Sequence, residues 1–329
     1  MKEFGLHKYA ERILKGIHVF YHGYAFEDFT LKAKCYIRLR KVYRQPYINN
    51  NTVVYMADKY VSFGGLADRL RGIISLYDWC KQNNKVFKIY FQAPFSLSHY
   101  LVPNQYDWLV YDSVYQGKPV LIDTPPHLAD VVNFQTYMFD KYLTKGKNQI
   151  NCYTNADLVS NKTKFSSLFN ELFKPSDDLK KLLDRYQALL GSKYISVSFR
   201  FVQLLGDFND CIDKTLSKDE QQKLIKKCIN ALVEINNMNH GTKMLVTADS
   251  SKFLEEVKKL EFVVVLPGEI GHSNYSHSEA AHMKTFLDFM MIAKASKIYL
   301  ARTSQMFKSG FARKASMVNN VPFEEFIIK

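Results

Sequence analysis

From residue 193 to residue 318 the hydrophobic pattern switches regularly between the period of a strand and that of a helix. Lys193 to Arg200 reads as a strand, Asp219 to Asn237 as a long amphipathic helix, Lys243 to Thr247 as a strand and Ser250 to Leu260 as a helix. Phe262 to Leu266, Lys284 to Ala295, Ile298 to Ala301 and Phe307 to Val318 continue as strand, helix, strand, helix. An order of β-α-β-α-β-α-β-α leaves few options, because each helix must carry the chain back before the next strand begins. It specifies a doubly wound parallel sheet.

The first half repeats the theme less cleanly. Thr52 to Met56 is a short β-prone run, and Leu66, Leu70, Ile73, Ile74 and Tyr77 follow at helical spacing. Val86 to Phe91 and Val120 to Ile122 are further strand candidates, among loops carrying Pro94, Pro103 and Pro119. Lys174-Pro175-Ser176-Asp177 reads as a junction, and a charged helix ending at Gly191 follows it. The expected architecture is α/β with two Rossmann-like domains, residues 1–190 and 191–329, facing a cleft.

A chain of 329 residues with 47% hydrophobic and 23% charged residues can bury two cores of ordinary size. No repeat is visible, and no apolar run reaches the ~18 residues that span a bilayer. The opening MKEFGLHKYAERILKG mixes charge signs and has no apolar signal-peptide core, so a cytoplasmic location is expected. Cys35, Cys80, Cys152, Cys211 and Cys228 are scattered without a C-x-x-C pair, which argues against a disulfide framework and a structural zinc site. The formal net charge of +13 suits a polyanionic partner: nucleic acid, an anionic membrane surface or a phosphorylated small molecule.

In open parallel sheets ligands bind beyond the carboxyl ends of the strands. Those positions here read Arg200, then Thr247 to Ser250, then Pro267 to Glu269, then Arg302 to Ser304, a polar set that suits a sugar nucleotide. Arg200 extends from a small-polar and apolar strand, where a guanidinium can hold a diphosphate through two parallel hydrogen bonds; a structural ion pair is the alternative. Gly206-Asp207-Phe208 lies in a loop able to fold back over the same place.

In the first half the distinctive stretch is Ser62 to Ile73, SFGGLADRLRGI. Gly64 and Gly65 enter a helix, which lets backbone approach a ligand and leaves N–H groups for an anion. On a helical wheel Arg69 borders the apolar face and Arg71 points nearly opposite. The competing reading is a tight turn with Arg69 paired to Asp58 or Asp68. No G-x-G-x-x-G or Walker A loop occurs.

His272, His277, Glu279 and His282 cluster, but H-S-E-A-A-H is not H-E-x-x-H and its i, i+5 histidines do not share a helical face. Contact with a ligand or solvent is expected there rather than a metal. Lys32 to Arg44, KAKCYIRLRKVYR, carries six cations and no acid among Tyr and Ile, which reads as a solvated face or a membrane-surface face more than a nucleic-acid stripe.

These motifs together resemble the fucosyltransferase superfamily of the nodulation, α1,6- and protein O-fucosyltransferases, and more closely the glycosyltransferases of bacterial polysaccharide loci. GGLADRLRGI resembles the superfamily's amino-terminal glycine-rich motif, which faces the donor. ISVSFR resembles the first motif of the carboxy-terminal domain, where the family has His-x-Arg; Arg200 matches the arginine that grips the β-phosphate, and Ser198 stands in place of the histidine. MLVTADS resembles the second motif and places Asp249 near the nucleotide, and residues 288–315 resemble the third, placing Ser309, Gly310 and Phe311 at a phosphate-binding helix start.

The resemblance implies a GT-B-like fold with residues 1–190 on the acceptor side and 191–329 binding the nucleotide sugar. It implies inverting, metal-independent transfer of fucose from GDP-fucose to a hydroxyl of an oligosaccharide, polysaccharide intermediate or lipid-linked glycan. No cofactor, no metal and no nucleic acid are expected, and peripheral contact with the inner face of a membrane is. Arg200 and Asp68 are the candidate catalytic residues, Asp68 as the base. Gly64, Gly65, Arg69, Ser198, Arg200, Asp249, His272, Ser309, Gly310 and Phe311 are the candidate donor-binding residues. The competing function is a non-catalytic carbohydrate- or polyanion-binding protein that keeps the fold.

Overall fold

In a computed structural model the described residues are 24–43, 47–110, 114–123, 130–144, 146–208, 215–270 and 278–329. His272, His277, Cys211 and Arg44 lie outside them. In chain order the elements begin with α1 (Ala25–Leu39), β1 (Thr52–Ala57), α2 (Leu66–Gln82), β2 (Val86–Phe91), β3 (Leu101–Pro103) and β4 (Lys118–Ile122). Next come α3 (Val131–Leu143), β5 (Ile150–Thr154), α4 (Lys162–Leu172), β6 (Phe173–Pro175), α5 (Asp177–Leu190), β7 (Ile195–Ser198) and α6 (Lys218–Met238). The last are β8 (Met244–Thr247), α7 (Ser251–Val257), β9 (Val263–Val264), α8 (Glu279–Ala293), β10 (Lys297–Arg302), α9 (Phe311–Val318) and β11 (Phe323–Ile327).

Two compact units result, one from the described residues up to 63 with 68–93 and 107–160, the other from 64–67, 94–106 and 161–329. The expected boundary near residue 190 lies inside the second unit, which takes in α4, β6 and α5. Lys174 and Pro175 pair with Val102 and Leu101 as strand β6.

The first unit holds a four-stranded parallel sheet in the order β2-β1-β5-β4. Every residue of β1 and β5 is buried, as expected of central strands covered on both faces. Leu70, Ile73, Ile74 and Tyr77 of α2 are buried as their spacing requires. Gly72 explains how closely that helix approaches: a Cβ there would stand 2.3 Å from the backbone oxygen of Thr154 at the end of β5.

The second unit holds a five-stranded parallel sheet in the order β11-β10-β7-β8-β9. Counted along the chain this is the 3-2-1-4-5 order of a doubly wound sheet, and the strand order reverses between β7 and β10. Its core joins Val197, Phe199 and Phe201 to Leu232, Val246, Phe253 and Tyr299, with the Phe199 and Phe201 rings stacked at 6.0 Å.

Two expectations change here. The last helix starts at Phe311 rather than Phe307, because the Phe307 N–H donates to Arg200 O and Gly310 takes the N-cap. A fifth strand, β11, completes the sheet; Glu324 and Glu325 interrupt its apolar pattern, pairing with Lys297 and with Arg302 and Lys308.

Candidate functional site

Strand β7 ends at Ser198, and the chain turns sharply two residues later. Arg200 Nη1 lies 3.1 Å from Asp249 Oδ2, and its guanidinium carbon sits 4.7 Å from the centre of the Phe208 ring, so the 206–208 loop does fold over it. Asp249 also accepts backbone hydrogen bonds from Phe201 and Val202, each at 2.7 Å. Those bonds hold Val202 at φ 57°, a conformation that costs a β-branched residue on the order of 1–3 kcal/mol. Burial raises the Asp249 pKa, opposed by Arg200 and the two amides.

Asp249, expected near the nucleotide, therefore stands behind Arg200 with a side chain only 5% exposed. It positions the arginine. The Arg200 side chain keeps 19% of its surface open, beside the reversal between β7 and β10. Ser198 Oγ and Thr247 Oγ1 bond at 2.8 Å across the ends of β7 and β8, so the Ser198 hydroxyl is satisfied within the protein. Asp207 Oδ2 accepts from Ser250 Oγ and Lys252 N, both at 2.9 Å, tying the loop to the start of α7.

At the other side of the reversal, β10 ends in Arg302, which pairs with Glu325. Beyond it Ser309 Oγ accepts the Phe311 N–H at 3.2 Å, and Gly310 caps α9. A Cβ on Gly310 would meet nothing within 4 Å, so the backbone at this helix start is accessible. The Phe311 ring packs edge-on against Phe289 at 5.3 Å. His282 was expected at a ligand or in solvent, but it is buried, with its ring 4.7 Å from that of Phe95. Among the described residues no group of three or more His, Cys, Asp or Glu is arranged to hold a metal ion.

The glycine-rich motif divides its labour among three glycines and two arginines. Gly64 has φ 38°, while a Cβ on Gly65 would meet nothing within 4 Å. Arg69 is only 2% exposed, donating to Ala93 O at 3.2 Å and lying 5.2 Å from the centre of the Phe91 ring. Burial pulls its pKa below the ordinary value. Asp68, half-exposed, bonds Arg71 at 3.0 Å, and its charge also acts on Arg69, the next residue.

Neither protein-family models nor curated protein sequences give a match to this chain. Solved structures do. Fucosyltransferase NodZ from Bradyrhizobium is 13% identical over 85% of this chain and 95% of its own, with a TM-score of 0.58. FUT1 from Arabidopsis thaliana, solved as a mutant with GDP, is 12% identical over 91% of this chain and 74% of its own, with a TM-score of 0.54. A NodZ α-1,6-fucosyltransferase structure soaked with GDP-fucose gives 14% identity over 84% and 95%, and a TM-score of 0.55. The chain has their GT-B fold.

The surroundings of Asp58, weighed in the sequence only as a partner for Arg69, escaped sequence reasoning. Asp58, the residue after β1, is buried and accepts from Tyr153 OH at 2.7 Å, Tyr115 OH at 3.3 Å and Tyr60 N at 2.9 Å. Because Tyr153 donates to Asp58, Tyr43 must donate to Tyr153, and Asn151 Nδ2 donates to Tyr43 at 3.1 Å. Burial first, and then neighbouring phenol and carboxylate charge, push the Tyr153 pKa upward. The only signal was an acid ending an apolar strand, since its partners lie as far as 110 residues apart in sequence.

Proposed function

We propose that this protein is an inverting, metal-independent glycosyltransferase moving fucose from GDP-fucose to a hydroxyl of an oligosaccharide or lipid-linked glycan. The observation that carries the reading is Arg200, held by Asp249 beside the strand-order reversal of a doubly wound sheet and still partly open. Proteins of the same fold solved with GDP and GDP-fucose support the choice of donor.

In the reaction the acceptor oxygen attacks the anomeric carbon and the bond from that carbon to the β-phosphate oxygen breaks, its electron pair leaving with GDP. Arg200 and the α9 start at Ser309, Gly310 and Phe311 neutralise the growing diphosphate charge, the work a metal would otherwise do. Asp68 takes the acceptor proton, being a carboxylate with substantial exposure, whereas Asp58 already accepts three hydrogen bonds in the interior. Gly64 and Gly65 put no side chain in the way of a ligand approaching this turn. Arg69, pinned to Ala93, supports the motif rather than the phosphate.

The test pairs binding with turnover. GDP at 100 times its dissociation constant should stabilise the protein by about 2.7 kcal/mol, with UDP and ADP far weaker, and transfer should persist after exhaustive EDTA treatment. Equal response to all three nucleotides, or activity lost to EDTA and restored by manganese, overturns the reading. The Ser198–Thr247 bond, where the family has a histidine, favours one rival: a binding protein that retains GDP without transfer. Selective GDP binding with no turnover on any glycan acceptor decides for it.

A further inference from the structure

Helix α1 is amphipathic in an unusual sense, because its outward face is apolar too. Inward, Leu31 and Leu39 are buried and the helix packs against β4. Both of its acids turn inward as well: Glu27 and Asp28 are buried, and Asp28 accepts from Lys141 Nζ at 2.7 Å and from Tyr142. The Asp28 carboxyl is pushed up by burial, yet the bonds from Lys141, Tyr142 and Lys32 bring it net below its ordinary value, so the anion is held in place.

Outward, Phe29, Tyr36 and Ile37 are 68%, 63% and 72% exposed. With Ala33 and Arg40 they fall at i, i+4, i+7, i+8 and i+11, one continuous helical stripe. Lys34, Arg40 and Lys41 are exposed on or beside it, Lys32 flanks its other edge while paired with Asp28 at 3.1 Å, and Arg40 lies 5.3 Å from the Tyr36 ring. Folding has turned both carboxylates of the helix away from this surface and left four cations around three large apolar side chains.

We infer that this face of α1 lies on an anionic lipid surface. Phe29, Tyr36 and Ile37 enter the boundary between headgroups and acyl chains while the flanking cations bond lipid phosphates. Charge complementarity selects an anionic layer, and an apolar centre with a cationic rim selects a bilayer over a nucleic acid, whose phosphates reward cations at the centre. The inference stands on α1 alone and does not depend on the transferase reading.

The experiment is sedimentation of the whole protein with vesicles of phosphatidylcholine alone or with about a third phosphatidylglycerol. Anionic vesicles should carry down at least ~10-fold more protein than neutral ones, with release in high salt. Phe29→Ser with Ile37→Ser, and separately Lys34→Glu with Lys41→Glu, should each lower binding by about 10-fold while the melting temperature stays within a few degrees of wild type. Absence of binding to anionic vesicles overturns the inference. So does full binding by the folded Phe29→Ser, Ile37→Ser variant. Duplex DNA that displaces the vesicles and binds the serine variant as well as wild type gives the face to nucleic acid instead.

Discussion

Each unit sets an arginine near the carboxyl end of its parallel sheet, and the fold treats the two oppositely. Arg69 is sealed at 2% exposure with its guanidinium spent on the Ala93 carbonyl and the Phe91 ring. The Arg200 side chain remains 19% exposed, and what it meets is a carboxylate that also fixes its own backbone turn. The glycine-rich neighbourhood of Arg69 advertises a phosphate site more loudly than the apolar strand before Arg200. Burial separates them: one cation has traded water for internal partners, and the other, held at the edge, keeps part of its surface in solvent.

The largest expected effect tests the open arginine. Arg200→Lys keeps the charge but loses the planar fork, and should lower kcat/KM by roughly 10²- to 10³-fold with little change in melting temperature. Wild-type turnover in the lysine variant would remove Arg200 from the phosphate. Arg69→Ala should instead act on stability, by about 2–4 kcal/mol in urea unfolding, because it leaves a hole and strands the Ala93 carbonyl. A stable Arg69→Ala protein with no transfer would collapse the contrast between the two arginines.

The glycines sharpen the same contrast at smaller scale. Gly72→Ala should cost about 2 kcal/mol, since its Cβ meets backbone rather than a movable side chain. Gly65→Ala should change stability by less than ~0.5 kcal/mol, so any loss of transfer there reports a ligand at the backbone. Arg71→Ala, removing a partly exposed pair with Asp68, should be smallest, at roughly 0.5 kcal/mol, and should leave donor binding intact.

The second sheet was legible because its strands and helices alternate in clean periods, and its polar strand ends could be read in order. Strand β11 was not, since Glu324 and Glu325 belong to an edge where charge pairs replace an apolar run. The helical wheel separated Arg69 from Arg71, and burial separates them the same way. What the wheel lacked was the far wall: Phe91 and Ala93, from β2 and just beyond it, turn a border position into a sealed one. The Asp58 network was beyond reach for a different reason, because Tyr43, Tyr115 and Tyr153 converge only through the sheet. His282 looked like a ligand because its neighbours in sequence are polar, while its neighbour in space is Phe95.

The turn after β7 has a dynamic consequence. Phe201 and Val202 give their amide hydrogens to a buried carboxylate in the loop after β8, outside the ladder that protects the rest of the sheet. Their exchange with deuterated solvent therefore clocks the opening of the 200–202 segment alone. Release by Asp249 should let the φ of Val202 relax while the Phe307 N–H still holds the Arg200 carbonyl, and those two amides should then lose protection before β7 and β8 part.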